Sequence, residues 1–187
     1  MGDTARSTAV GAHLDFIVAA LHHHHVAEDE LLWPKLRARV PAESVAVARM
    51  EAAHQSIANA TTRVQAMLPS WVRAPEAPAT ERLAVAVAEL SSQTGEHLTD
   101  EESAVVPLIN AHVTEQEWRE ITARGAAFMS RRNVKLALVL GGMVLDGSPD
   151  EERRRFLAGV PLPQRLVVRL LADRTYAKYR TELRGGR

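Results

Sequence analysis

The chain has no cysteine. Disulfides, thiolate nucleophiles, iron–sulfur clusters and cysteine-type zinc sites are therefore all excluded. The ligand chemistry that remains is imidazole and carboxylate, from 8 His and 23 Asp plus Glu. Such donors suit iron, zinc or manganese better than softer ions. Aromatic residues are scarce at 4%, alanine is abundant, and no run of alternating β-branched residues calls for a strand. An all-α chain is expected. Neither sign of charge is in excess, with 23 Lys plus Arg against 23 Asp plus Glu. Bulk electrostatics thus give no reason to expect nucleic acid or a membrane surface as partner. Long apolar runs are also lacking. The most hydrophobic window, Val134 to Leu145, is too short to span a bilayer and holds Gly141-Gly142. The stretch from Val10 to Leu21 carries His13 and Asp15 and reads as an amphipathic helix rather than a secretory signal. A cytoplasmic protein is expected.

What is present is a repeat. His24 is followed by Glu28 and Pro34, and His97 by Glu101 and Pro107, in one shared register. A spacing of four puts His and Glu on one face of a helix, one turn apart. The first helix is expected from about Thr8 to Arg39, with a seam of Val10, Leu14, Ile17, Leu21, His24, Glu28 and Leu31. An interior Pro34 is expected to kink it. A second helix is expected over Ala42 to Leu68, with His54 inside its seam, followed by a loop from Pro69 to Pro78. A third is expected over Thr80 to His112, with His97 and Glu101 in the stripe.

Shorter helices follow. Thr114 with Glu117 forms a capping box, and Ser148-Pro149 with Glu151 opens another helix, proline taking the first helical position. A last one spans Pro163 to Leu183, ended by Gly185-Gly186. Two segments are expected: residues 1–113 as a ligand-bearing bundle, and 114–187 as a helical extension packing on the bundle or on a partner.

Five seam residues carry the chemistry: His24, Glu28, His54, His97 and Glu101. A charged carboxylate in a core costs several kcal/mol unless it is paired or bound to metal. Two carboxylates beside three imidazoles make sense if cations neutralise them, each Glu bridging and each His terminal. His22, His23 and His25 point in other directions. They read as exposed helix surface, with His23 or His25 the candidates for a supporting or access role. Trp33, Trp71 and Trp118 read as packing anchors, and Glu152 to Arg155 as a solvated face.

The repeated His-x3-Glu-x5-Pro with an intervening seam His resembles the haemerythrin-like, or HHE cation-binding, family over about Thr8 to Val113. The resemblance implies an up-and-down helical bundle around two non-haem iron ions that binds or reacts with O2, NO or H2O2. Zinc or manganese is compatible with the same donors. By position, His24 and Glu28 match the family's second helix, His54 its third, and His97 with Glu101 its fourth. The tail resembles extensions of actinobacterial members.

Three departures stand out. The oxygen-carrier branch has a second His one turn after the third-helix ligand, where this chain has Ala58. Its last helix places the acid five residues after the His, which is Glu102 here; Glu101 is preferred because it repeats the Glu28 register. The family's first helix, with one more His, has no counterpart in the roughly twenty residues before His24. His13 does not substitute, since eleven residues is about 16 Å along a helix. With fewer imidazoles, redox chemistry or sensing is expected rather than reversible oxygen carriage. The alternative is a non-catalytic metal-binding or sensor module. The open side of the bundle is expected to be covered by the tail, Val134 to Leu145 above all, together with a homodimer.

Overall fold

The structure is a computed structural model that describes residues 4–128, 134–160 and 162–184; every described element is helical. Helix α1 (Thr4–Ala27) runs through a π turn (Glu28–Leu32) into α2 (Trp33–Arg39). Helix α3 (Ser44–Arg73) follows, then α4 (Ala77–Asp100), a second π turn (Glu101–Val105), α5 (Val106–His112) and α6 (Glu115–Gly125). After the undescribed residues come α7 (Val134–Gly147), α8 (Asp150–Gly159) and α9 (Leu162–Arg184). Among the described residues no helix is long and apolar enough to cross a membrane.

The chain divides into two compact units, Met1–Phe128 and Met129–Arg187. The boundary expected at 113 thus moves to 128, because α6 packs on α1 and belongs to the first unit. Its Thr114–Glu117 capping box forms as the sequence indicates. Ile121 is buried in the cluster containing Ala27, Leu32, Trp33 and Leu36. The apolar window at 134–145 lies in the second unit, where α7 packs on α9. A Cβ at Gly142 would lie 2.7 Å from the Ala172 carbonyl oxygen, so this close approach requires glycine. Pro149 stands just before α8 with ψ 158°, one place ahead of the position expected. Gly185-Gly186 lies outside the described residues.

In the first unit, cross-helix contacts fix the topology. Ser7 Oγ donates to the Val72 carbonyl at 2.9 Å, while at the other end His25 stacks on His54. Helices α1 and α3 are therefore antiparallel. Between α3 and α4, Trp71 Nε1 donates to Thr80 Oγ1, Arg63 pairs with Glu89, Ser56 with Gln93 and Arg49 with Asp100. Rising numbers on one helix meet falling numbers on the other, so this pair is antiparallel too. The loop expected from Pro69 to Pro78 shrinks to residues 74–76. The seam continues through Leu68 to Trp71, and burying that tryptophan draws α3 past Pro69.

The core has two apolar layers. One holds Val18, Ile57, Val64, Leu68, Leu83 and Leu90. The other holds Leu32, Trp33, Leu36, Val47, Met50, Val105 and Ile109. Along α3 the order is Val47, Met50, His54, Ile57, Val64, so His54 lies between the layers. The other buried polar side chains of this zone, His25, Glu28, His97 and Glu101, join it there.

Candidate metal centre

The first seam differs from the one expected by a single residue. Ser7, Gly11, Val18, His25, Glu28, Leu32 and Leu36 are buried on α1 and its continuation, while Ile17 and Leu21 are only partly buried. His25 therefore points inward, and the side chain of His24 stays 47% exposed at the edge. The apolar residues Val10, Leu14, Phe16, Ile17, Val18 and Leu21 cover more than one face, which hid the register. The heptad spacing of Gly11, Val18, His25 and Leu32 is the signal that reveals it.

Each repeat ends in a π turn. The Trp33 N–H donates to Glu28 O, and the Val106 N–H to Glu101 O. One extra residue is accommodated per turn, a deviation frequent at functional sites. Pro34 and Pro107 come one residue later; each lacks an N–H, and in a regular helix its ring would crowd the carbonyl four residues back. The expected kink at Pro34 is thus a π turn that begins at the ligand-type carboxylate.

Ligand-type atoms gather in two nests. His25, His54 and His97 form one; His24, Glu28 and Glu101 form the other; within each, the atoms lie within 4.8 Å of one another. The rings of His25 and His54 stack at 4.0 Å, and His97 lies 5.1 Å and 4.8 Å from them. Glu28 joins the nests, with Oε1 3.5 Å from His24 Nε2 and Oε2 3.5 Å from His54 Nε2. His97 Nε2 is 3.8 Å from Glu101 Oε2. Glu28 is 1% exposed and Glu101 9%, whereas Glu102 is exposed. All five sequence-predicted residues are thus brought together, with His25 as a sixth. His13 belongs to neither nest.

Asp29 is the residue that spacing did not reveal. Its Oδ1 lies 2.7 Å from His54 Nδ1 and accepts from Trp33 Nε1 at 2.9 Å. This contact keeps the His54 proton on Nδ1 and leaves the Nε2 lone pair facing Glu28. Trp33 is fully buried, as expected of a packing anchor, whereas Trp118 is 39% exposed and anchors nothing comparable.

Burial disfavours the charged forms of His24, His25, Glu28 and His97. Burial, then His54, holds His25 down to about 2. His97 is held down to about 4, again first by burial. Glu28 is pushed up to about 9 by burial and then by the Glu101 carboxylate. His25 Nε2, His54 Nε2, both nitrogens of His97 and Glu28 Oε2 are buried with no hydrogen-bond partner. Buried polar atoms normally have partners. Several orphaned ligand-type atoms gathered in these two nests fit cations that take imidazole and carboxylate donors.

Comparison with known families agrees with this geometry. The sequence model of the Hemerythrin HHE cation binding domain matches residues 2–109. The chain belongs to that family. No curated protein and no solved structure matched in the corresponding comparisons. The family match ends before α6, yet in this HHE protein α6 braces the site region. Arg124 donates to both Glu30 carboxylate oxygens, at 2.8 and 3.0 Å, on the first π turn. Arg39 does the same to Glu117 near the other end of α6, at 2.9 and 2.6 Å. Within the first unit, α6 packs on α1 and on the first π turn.

Proposed function

We propose that the chain is a non-haem di-iron protein whose site binds or reacts with a small diatomic or peroxide ligand (O2, NO or H2O2). The observation that carries this reading is the set of converging buried nitrogen and oxygen atoms without partners, on a chain of a cation-binding family. His24, His25, His54 and His97 would be terminal ligands, and Glu28 and Glu101 would bridge. Bound iron would supply Lewis acidity and electrons. The protein's part is orientation and exclusion of water. Asp29 fixes the His54 ring, and apolar layers flank the buried nest on two sides. A groove of about 690 Å³ between α1 and α3 reaches His25 and His54 past Ala58 and Thr61, giving a small ligand a way in.

One feature favours a second reading, a metal-binding or sensor module without turnover. The nest of His24, Glu28 and Glu101 contains a single imidazole. An optical experiment separates the two. Protein reconstituted with iron is expected to show near-ultraviolet charge-transfer bands that change on adding peroxide or nitric oxide. Iron-loaded protein whose spectrum ignores both ligands would support the module instead.

A further inference from the structure

We infer that the two nests are unequal: beside the shared Glu28 and Glu101, the chain holds one cation tightly through His25, His54 and His97, and a second weakly, with His24 as its imidazole. This rests on the metal-binding reading above and extends it to the ligand set, the order of filling and the class of ion each nest prefers.

The first argument is where the third nitrogen comes from. One turn beyond His54 on α3 stands Ala58, which offers no ligand atom. Across the groove that Ala58 lines, α1 supplies His25. Its ring stacks on His54 at 4.0 Å with planes 12° apart and meets His97 nearly edge-on at 5.1 Å. An imidazole from the facing helix thus supplies the nitrogen that α3 lacks. The inward turn of His25 follows from the one-residue shift of the α1 seam.

The second argument is burial. His25, His54 and His97 are 6%, 5% and 2% exposed, and each has a buried Nε2 without a partner. Bulk water reaches these imidazoles less readily than it reaches His24. In the other nest Glu28 and Glu101 are buried as well, but the single imidazole, His24, is 47% exposed, so water competes directly at that ligand. A third argument is donor type. Three nitrogens favour borderline ions such as iron(II) or zinc(II), while a carboxylate-rich nest tolerates harder ones such as manganese(II). The tight nest is therefore the first to fill, and the exposed nest is the exchangeable one.

Calorimetric titration of the metal-free full chain with zinc(II) tests this. Two steps are expected, with dissociation constants about tenfold or more apart. His25→Ala is expected to abolish the tight step and keep a weak one; His24→Ala is expected to keep the tight step and lose the weak one. In a zinc and manganese mixture, gel filtration should leave one zinc per chain, while manganese exchanges, seen by electron paramagnetic resonance. Two steps of equal affinity, a tight step that survives His25→Ala, or one lost in His24→Ala would overturn the inference. If His25→Ala does not fold, the wild-type titration still decides, since equal steps contradict the claim. Wild-type protein that binds no zinc, manganese or iron would instead overturn the metal-binding reading beneath it.

Discussion

Glu28 and Asp29 are neighbours in sequence and address opposite nitrogens of one ring, Nε2 and Nδ1 of His54. The first is poised to share a metal with that ring, the second to hold the ring in place. Asp29→Ala should weaken metal binding about 10- to 100-fold, read by competition with a coloured chelator, and Asp29→Asn should restore part of the loss. Unchanged affinity in the alanine variant would remove Asp29 from the site. Acid–base behaviour follows from the same packing. His25 and His97 have folded values depressed to about 2 and about 4, so below about 6.5 the unfolded chain takes up protons that the folded chain refuses. Their contribution to stability is present above about 6.5 and is lost as pH falls, at ~1.4 kcal/mol per pH unit per proton. Glu28 is raised to about 9, so its contribution is present below its ordinary value of 4.5 and declines as pH rises towards 9. Metal-free protein should therefore be most stable near pH 6 to 7 in urea unfolding. Bound metal should abolish the alkaline decline, because Glu28 is then charged and compensated. A metal-free stability that climbs steadily to pH 9 would contradict the assignment of Glu28. At this scale the sequence was informative where residue type and spacing repeat, as in His24–Glu28 and His97–Glu101. It was silent on Asp29, whose role depends on a partner 25 residues away, and misleading on His25, hidden among four consecutive histidines.

Among the helices, the two π turns set this bundle apart. Pro69 shows that proline alone does not cause them, since it sits in ordinary α-helix four residues before the end of α3. At Pro34 and Pro107 a second condition holds: a buried carboxylate stands six residues earlier, drawn towards the imidazoles. Pro34→Ala and Pro107→Ala restore an N–H and remove a clash that costs about 3 kcal/mol in a regular helix interior. The metal-free variants are expected to unfold at a temperature equal to or above that of the wild type, yet to retain less metal, because a regular turn rotates Glu28 or Glu101 away. Variants that lose stability but keep full metal affinity would show that the prolines serve packing alone. The helices themselves were legible from apolar spacing, and the α6 cap from Thr114 and Glu117. The π turns were not, because hydrophobic periodicity assumes a constant number of residues per turn. The extension of α3 past Pro69 was missed because local proline chemistry was weighed without the burial of Trp71.

Over the whole molecule, balanced charge conceals a division. Met1–Phe128 carries 10 Lys plus Arg against 17 Asp plus Glu, a net of −7, and residues 129–187 carry 13 against 6, a net of +7. The expectation of no nucleic-acid or membrane partner rested on the sum, and does not apply to the second unit taken alone. The unit boundary also sets where the chain can be cut. A chain ending at Phe128 keeps α6 and should unfold cooperatively with its metal content intact. A chain ending at His112 loses Ile121 from the core and the Arg124–Glu30 pair from the first π turn. Removing a buried isoleucine side chain alone costs about 2–5 kcal/mol, so this shorter chain should lose metal and cooperativity. Equal behaviour of the two truncations, judged by thermal unfolding and metal analysis, would deny α6 that role. The central claim is that the His/Glu layer between the two apolar layers is a metal centre. Its most direct test is the metal content of untagged protein made in iron-supplemented cells and equilibrated with iron(II) under anaerobic conditions. The account predicts about two ions per chain at saturation, falling sharply in His54→Ala; a folded chain that takes up no metal, or takes up as much without His54, would contradict it.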